Sequence, residues 1–199
     1  MLIDVTLILK ENIPVYPGDP KFEIEKIYSI ESSGFNLHRL TMGTHTGTHM
    51  DAPLHFLSGG NDISQLDINN LRLTALVADT SGLKKIDSAY LRTLDLNGLG
   101  ALLFKTNSKA VYLTADGARF LTARGIRLVG TENPDIEDSP DNCFEVHHIL
   151  LGNSIPVVEN LFLKNVSEGK YIFYCFPLNV YGADACPVRA ILEPLDNSL

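Results

Sequence analysis

His45, His49, Asp51 and His55 lie within one short stretch, His45-Thr46-Gly47-Thr48-His49-Met50-Asp51-Ala52-Pro53-Leu54-His55-Phe56. Neutral imidazole and carboxylate are the ligands that zinc and similar divalent metals take. His45 and His49 have the i, i+4 spacing of a helical metal site, but the residues between them oppose a helix. Gly47 and the β-branched Thr46 and Thr48 are poor helix formers, and Pro53 restricts the residue before it. A strand running into a glycine-hinged loop is expected, with the site on the loop. The competing account of the same residues is a hydrogen-bonded polar cluster without a metal.

The surrounding elements follow from periodicity and punctuation. Residues 2–7 alternate as a first strand, and residues 22–30 as a half-buried one through Phe22, Ile24, Tyr28 and Ile30. Residues 35–43 form the strand that enters the candidate site, with His38 on it as a structural residue. Buried strands are expected at residues 72–79, 99–105 and 171–177, with shorter ones at 126–130, 156–159 and 188–192. A short helix over 86–94 is capped by Asp87, and a longer one over 114–124 opens on Thr114 and closes at Gly125. Its core face would be Ala115, Ala118, Phe120 and Leu121. Strand, helix and strand at 99–130 make a β–α–β unit. The acidic loop 132–142 precedes a helix carrying His147 and His148, which makes it a candidate rim. The class is α/β, mixed and strand-rich, in a single domain spanning 1–199.

Composition excludes several partners. A net charge of −8 does not suit a nucleic-acid binder, which needs clustered lysine and arginine. Cys143, Cys175 and Cys186 are an odd number at no metal-knuckle spacing, as expected of free thiols in a reducing cytoplasm. No apolar run reaches the length of a membrane span, and no basic segment followed by an apolar core opens the chain. A cytoplasmic protein that meets neither membrane nor nucleic acid is expected.

The twelve-residue stretch resembles the signature of the cyclase-like metal-dependent hydrolases, to which bacterial kynurenine formamidases (arylformamidases) and isatin hydrolases belong. The resemblance extends to Pro14-Val15-Tyr16-Pro17-Gly18-Asp19 and to Ala185-Cys186-Pro187-Val188-Arg189-Ala190. It implies a swivelling β/β/α fold and a divalent-metal site, two zinc ions per chain with manganese as the alternative. His45, His49, Asp51, His147 and Glu159 would be the ligands, with Asp51 and Glu159 bridging. His147 is preferred to His148 because it stands twelve residues before Glu159, the family's spacing, and adjacent helical side chains diverge.

The resemblance further implies a small-molecule substrate and a homodimer or larger homo-oligomer. His55 would be the acid/base that protonates the leaving nitrogen, with a further ligand as its other possible role. Tyr16 and Phe56 would contact substrate. Tyr16 stands where kynurenine formamidases usually carry tryptophan, and Cys186 where serine is expected. Glu132-Asn133-Pro134 departs from an aspartate-containing loop. The leading activity is metal-dependent hydrolysis of a non-peptide C–N bond in an aryl formamide such as N-formylkynurenine. An isatin-like lactam or a lactone is the alternative substrate, and a non-catalytic metal-binding protein the alternative from another class.

Overall fold

A computed structural model describes residues 1–195. Ten strands and four α-helices occur among these residues. The strands are β1 (Ile3–Asp4), β2 (Glu23–Tyr28), β3 (Leu37–Thr41), β4 (His49–Asp51) and β5 (Arg72–Asp79). They continue with β6 (Ala101–Lys105), β7 (Leu128–Thr131), β8 (Val157–Glu159), β9 (Gly169–Pro177) and β10 (Ala185–Pro194). The helices are α1 (Ile30–Ser33), α2 (Ser88–Leu91), α3 (Ala115–Ala123) and α4 (Glu145–Gly152).

Strands β10-β4-β8-β7-β6-β5-β9 are hydrogen-bonded in that order, and β9 pairs with β10, which closes a seven-stranded barrel. β1 lies outside it, antiparallel to β10. The run β5-β6-β7-β8 is parallel, and its crossovers carry α2, α3 and α4 on the outer face. Parallel neighbours cannot be joined by a tight turn, so each crossover needs an element of its own. The strand-rich α/β class expected from periodicity thus takes the form of a closed barrel flanked by helices.

Side-chain alternation divides the core in two. On β6, Ala101 and Leu103 point into the barrel with Leu73, Val158 and Phe173. Leu102 and Phe104 point outward onto Leu91, Leu121 and Leu150 of the three helices. All four β6 residues have no exposed surface, which is why this strand reads as a continuous apolar run. Each large side chain buried there contributes roughly 1.5–3 kcal/mol.

Local signals set the helix ends. Asp87 accepts from Tyr90 N and Thr114 Oγ1 from Gly117 N, and Gly125 turns the chain at φ +73°. On α3, Gly117 takes the buried place expected for Ala115. A Cβ there would come within 2.8 Å of Ile86 O, so helix and loop can approach only through glycine. Helix α2 is shorter than the expected 86–94.

Three expectations are corrected. The first strand is confined to Ile3–Asp4, because the Thr6 hydroxyl takes over the backbone bonding, accepting from Ala190 N at 2.8 Å and donating to Ala190 O at 3.1 Å. Strand β2, expected to be half-buried, is mostly exposed. With β3 it forms a separate two-stranded ribbon with Ile24, Tyr28, Leu37 and Leu40 exposed, since among the described residues no second layer covers it. His38 is exposed on that ribbon. Finally, the metal-ligand candidates do not share a loop. Gly47, at φ +67° and pressed against Leu9 and Ile13, turns the chain so that His49 and Asp51 enter β4 between β8 and β10.

Candidate metal centre

β4 places His49 and Asp51 two residues apart, on the same face of the sheet. Met50 between them points into the barrel, so the pair points outward, toward the helices. On the neighbouring β8, Glu159 is the cross-strand partner of His49. α4 turns His147 inward, 3% exposed, and leaves His148 exposed. His45 reaches in from the loop before β4, and His55 from the 3-10 turn Pro53–His55 after it.

The two carboxylates lie between the imidazoles. Asp51 Oδ1 is 3.0 Å from His45 Nδ1 and 3.4 Å from His49 Nε2, while Oδ2 is 3.7 Å from His147 Nε2. Glu159 Oε2 is 3.6 Å from His49 Nε2, and Oε1 is 3.4 Å from His147 Nε2. Each acid therefore offers one oxygen to the His49 side and the other to the His147 side. Candidate ligand atoms gather in three groups, each within 4.8 Å. His45-His49-Asp51 and Asp51-His147-Glu159 share Asp51, and the third is the half-buried His45-His55-Asp184, whose carboxylate oxygens already have hydrogen-bond partners.

Two outer hydrogen bonds assign the imidazole nitrogens. His49 Nδ1 donates to Gly47 O at 3.0 Å, and His147 Nδ1 donates to Glu137 Oε1 at 2.7 Å. Both Nε2 atoms therefore face the carboxylates. His49 Nε2 and both oxygens of Asp51 are buried without a hydrogen-bond partner. Buried polar atoms left in this state are rare, and orphaned acceptors converging on one point are the donor set a cation satisfies. The residues fit a divalent metal.

The remaining candidates are placed as follows. Phe56 stacks on His147, centroids 4.8 Å apart at 27°, and meets His55 edge-on at 4.4 Å. Tyr16 is 60% exposed, and among the described residues no hydrogen bond or ring contact ties it to the cluster. The acidic loop 132–142 does border the site, since Ile136 N donates to Glu159 Oε1 at 2.8 Å.

Sequence reasoning missed two carboxylates. Glu137 holds His147 and also accepts from the backbone N–H groups of Val146 and His147 in the first turn of α4. Asp184 Oδ2 lies 3.1 Å from both His45 Nε2 and His55 Nδ1. The available signals were the acidic loop for Glu137, and for Asp184 its place directly before the Ala185–Ala190 stretch.

The Cyclase family, described as "Putative cyclase", matches residues 3–138. The chain belongs to this family. A kynurenine formamidase of Bacillus cereus is 37% identical over 203 residues, covering 97% of each chain. A solved structure described as a potential metal-dependent hydrolase with cyclase activity superposes with a TM-score of 0.83 at 31% identity, covering 98% of this chain and 99% of its own. Isatin hydrolase A of Labrenzia aggregata shares the fold, with a TM-score of 0.84 at 21% identity, 96% of this chain and 93% of its own.

The electrostatics of this Cyclase-family centre favour positive charge. Burial opposes the charged form of His45, but Asp51 and then Asp184 outweigh it and raise its pKa to about 9. The same contest raises His49, through Asp51 and Glu159, and His147, through Glu137 and Glu159. At His55 burial wins and lowers the pKa. Burial and Glu159 raise Asp135, at the edge of the site, to about 6.

Proposed function

We propose that this chain, a single unit over 1–199, is a metal-dependent hydrolase of a non-peptide C–N bond, with an aryl formamide such as N-formylkynurenine as substrate. The observation that carries the reading is the pair of buried carboxylates, Asp51 and Glu159, each shared between two banks of imidazole. His45, His49, Asp51, His147 and Glu159 would hold the metal. The two ligand groups that share Asp51 favour two ions per chain. Mixed imidazole and carboxylate ligation favours zinc, with manganese second. The 37% identity with a kynurenine formamidase over almost the whole chain supports the substrate.

A divalent cation bound there supplies Lewis-acid polarisation of the substrate carbonyl and lowers the pKa of water. The rest falls to the chain. His55, with its pKa lowered by burial, is neutral near pH 7 and can take a proton and return it to the leaving nitrogen. Phe56 offers an apolar edge beside His55 and His147, suited to an aromatic substrate. Tyr16, with its hydroxyl, in place of a tryptophan favours a second reading, an isatin-like lactam or a lactone. The full ligand set beside His55 argues against a non-catalytic metal-binding protein. We further propose a homodimer or larger assembly in the cytoplasm, the latter supported by three unpaired cysteines.

The test is elemental analysis of the purified protein, with N-formylkynurenine hydrolysis assayed before and after chelation. About two metal equivalents per chain and chelator-sensitive turnover are expected. Metal without formamide turnover would transfer the assignment to lactams and lactones, with isatin tried first. A protein that bound no metal on reconstitution would refute the reading.

A further inference from the structure

Asp184 stands immediately before β10, where its backbone carbonyl accepts from Ala52 N at 2.9 Å and ties the loop to the end of β4. Its Oδ1 accepts from the Thr44 hydroxyl at 3.0 Å. Its Oδ2 is 3.1 Å from His45 Nε2 and 3.1 Å from His55 Nδ1, and the two rings lie 4.2 Å apart. Both oxygens are thus engaged by hydrogen-bond donors, unlike those of Asp51. An ionised carboxylate only accepts, so each contact places the proton on the imidazole nitrogen.

We propose that Asp184 is a positioning residue that fixes opposite tautomers of His45 and His55. His45 is held as the Nε2–H form, which leaves the lone pair of Nδ1 on the side of Asp51, 3.0 Å from its Oδ1. His55 is held as the Nδ1–H form, which leaves the lone pair of Nε2 free to accept a proton. One oxygen therefore prepares a metal ligand and an acid/base group together. A carboxylate or carbonyl on the outer nitrogen sets tautomer and ring orientation in this way for both kinds of histidine. The inference rests on the proposed roles of His45 and His55. Asp184 is not assigned to the metal, because neither of its oxygens is left without a partner.

The experiment is long-range proton–nitrogen correlation NMR of the full-length, zinc-loaded protein with labelled histidine. His45 is expected to be protonated at Nε2 and His55 at Nδ1. In Asp184→Asn, His55 should lose the Nδ1–H form. Zinc affinity should weaken by about 10- to 100-fold while the site still fills at saturating zinc, where kcat is measured. kcat on N-formylkynurenine should fall by about 10- to 100-fold, with KM held within about twofold. Wild-type His55 protonated at Nε2 would overturn the proposal without any variant being made. Failure of Asp184→Asn to fill its site even at saturating zinc would overturn it by making Asp184 a ligand, and so would unchanged tautomers and kcat. If the wild type does not turn over N-formylkynurenine, the substrate assignment fails, while the tautomer spectra still decide the role of Asp184.

Discussion

Glu159 of β8 lies directly across the ladder from His49 of β4, and its carboxylate spans from His49 Nε2 at 3.6 Å to His147 Nε2 at 3.4 Å. The β4–β8 pairing fixes one contact and the docking of α4 the other, so a single acid joins strand and helix. Glu159→Gln should keep the shape and the bond from Ile136 N but lose the charge that attracts a cation. A lower metal content by elemental analysis is expected. Full metal retention with full activity would remove Glu159 from the centre.

His55 sits on the 3-10 turn after β4, in contact with Asp184 rather than with Asp51 or Glu159. His55→Ala should retain bound metal and lose turnover by about 10²–10⁴-fold, the range for a lost acid/base. Metal analysis and kcat together check this. A variant that lost its metal would make His55 a ligand.

Glu137 serves the helix and the site at once. It caps the first turn of α4, whose N-cap residue Phe144 makes no side-chain cap bond, and it orients His147. Glu137→Ala should cost about 1–3 kcal/mol of stability, the penalty for buried donors left without a partner. It should also weaken metal binding by about 10- to 100-fold. Urea unfolding and competition with a chelator measure the two effects. Unchanged metal affinity would mean that Glu137 is a cap alone.

The stability of the metal-free protein should fall as pH rises. His45 has a folded pKa of about 9 against an ordinary 6.5, so its stabilisation is complete below pH 6.5 and is lost as pH climbs through about 9. His49 and His147 are shifted in the same direction. The lowered pKa of His55 acts oppositely, but below pH 6.5. Thermal melts in excess chelator should show a lower Tm at pH 9 than at pH 6.5. A Tm that rose across this window would contradict the electrostatics described here.

Gly60 supports the segment that carries His55. A Cβ at residue 60 would lie 2.7 Å from the carbonyl carbon of Pro53 and 2.9 Å from Leu54 N, backbone that cannot move without shifting the turn. Gly60→Ala should therefore lower kcat with metal content intact, because small displacements of a positioned group are costly to rate. Wild-type kcat in this variant would show that the turn adapts.

The sequence alone determined what depends on neighbours along the chain. The caps at Asp87 and Thr114 act on N–H groups three residues away, and the β–α–β unit over residues 99–130 follows from periodicity and a glycine stop. The cluster of His45, His49, Asp51 and His55 is dense because one short strand and the turns on either side of it carry all four. Tertiary structure alone decided partners that lie far apart in the chain. Asp184 meets His45 across 139 positions and His55 across 129, and no local pattern marks one aspartate for that contact. The family spacing to Glu159 already prefers His147 to His148, but the physical reason, which face of α4 docks on the barrel, is tertiary. The exposure of the β2–β3 ribbon was equally illegible, because alternating apolar residues specify a strand with two faces, and only the packing of other layers decides whether either is covered.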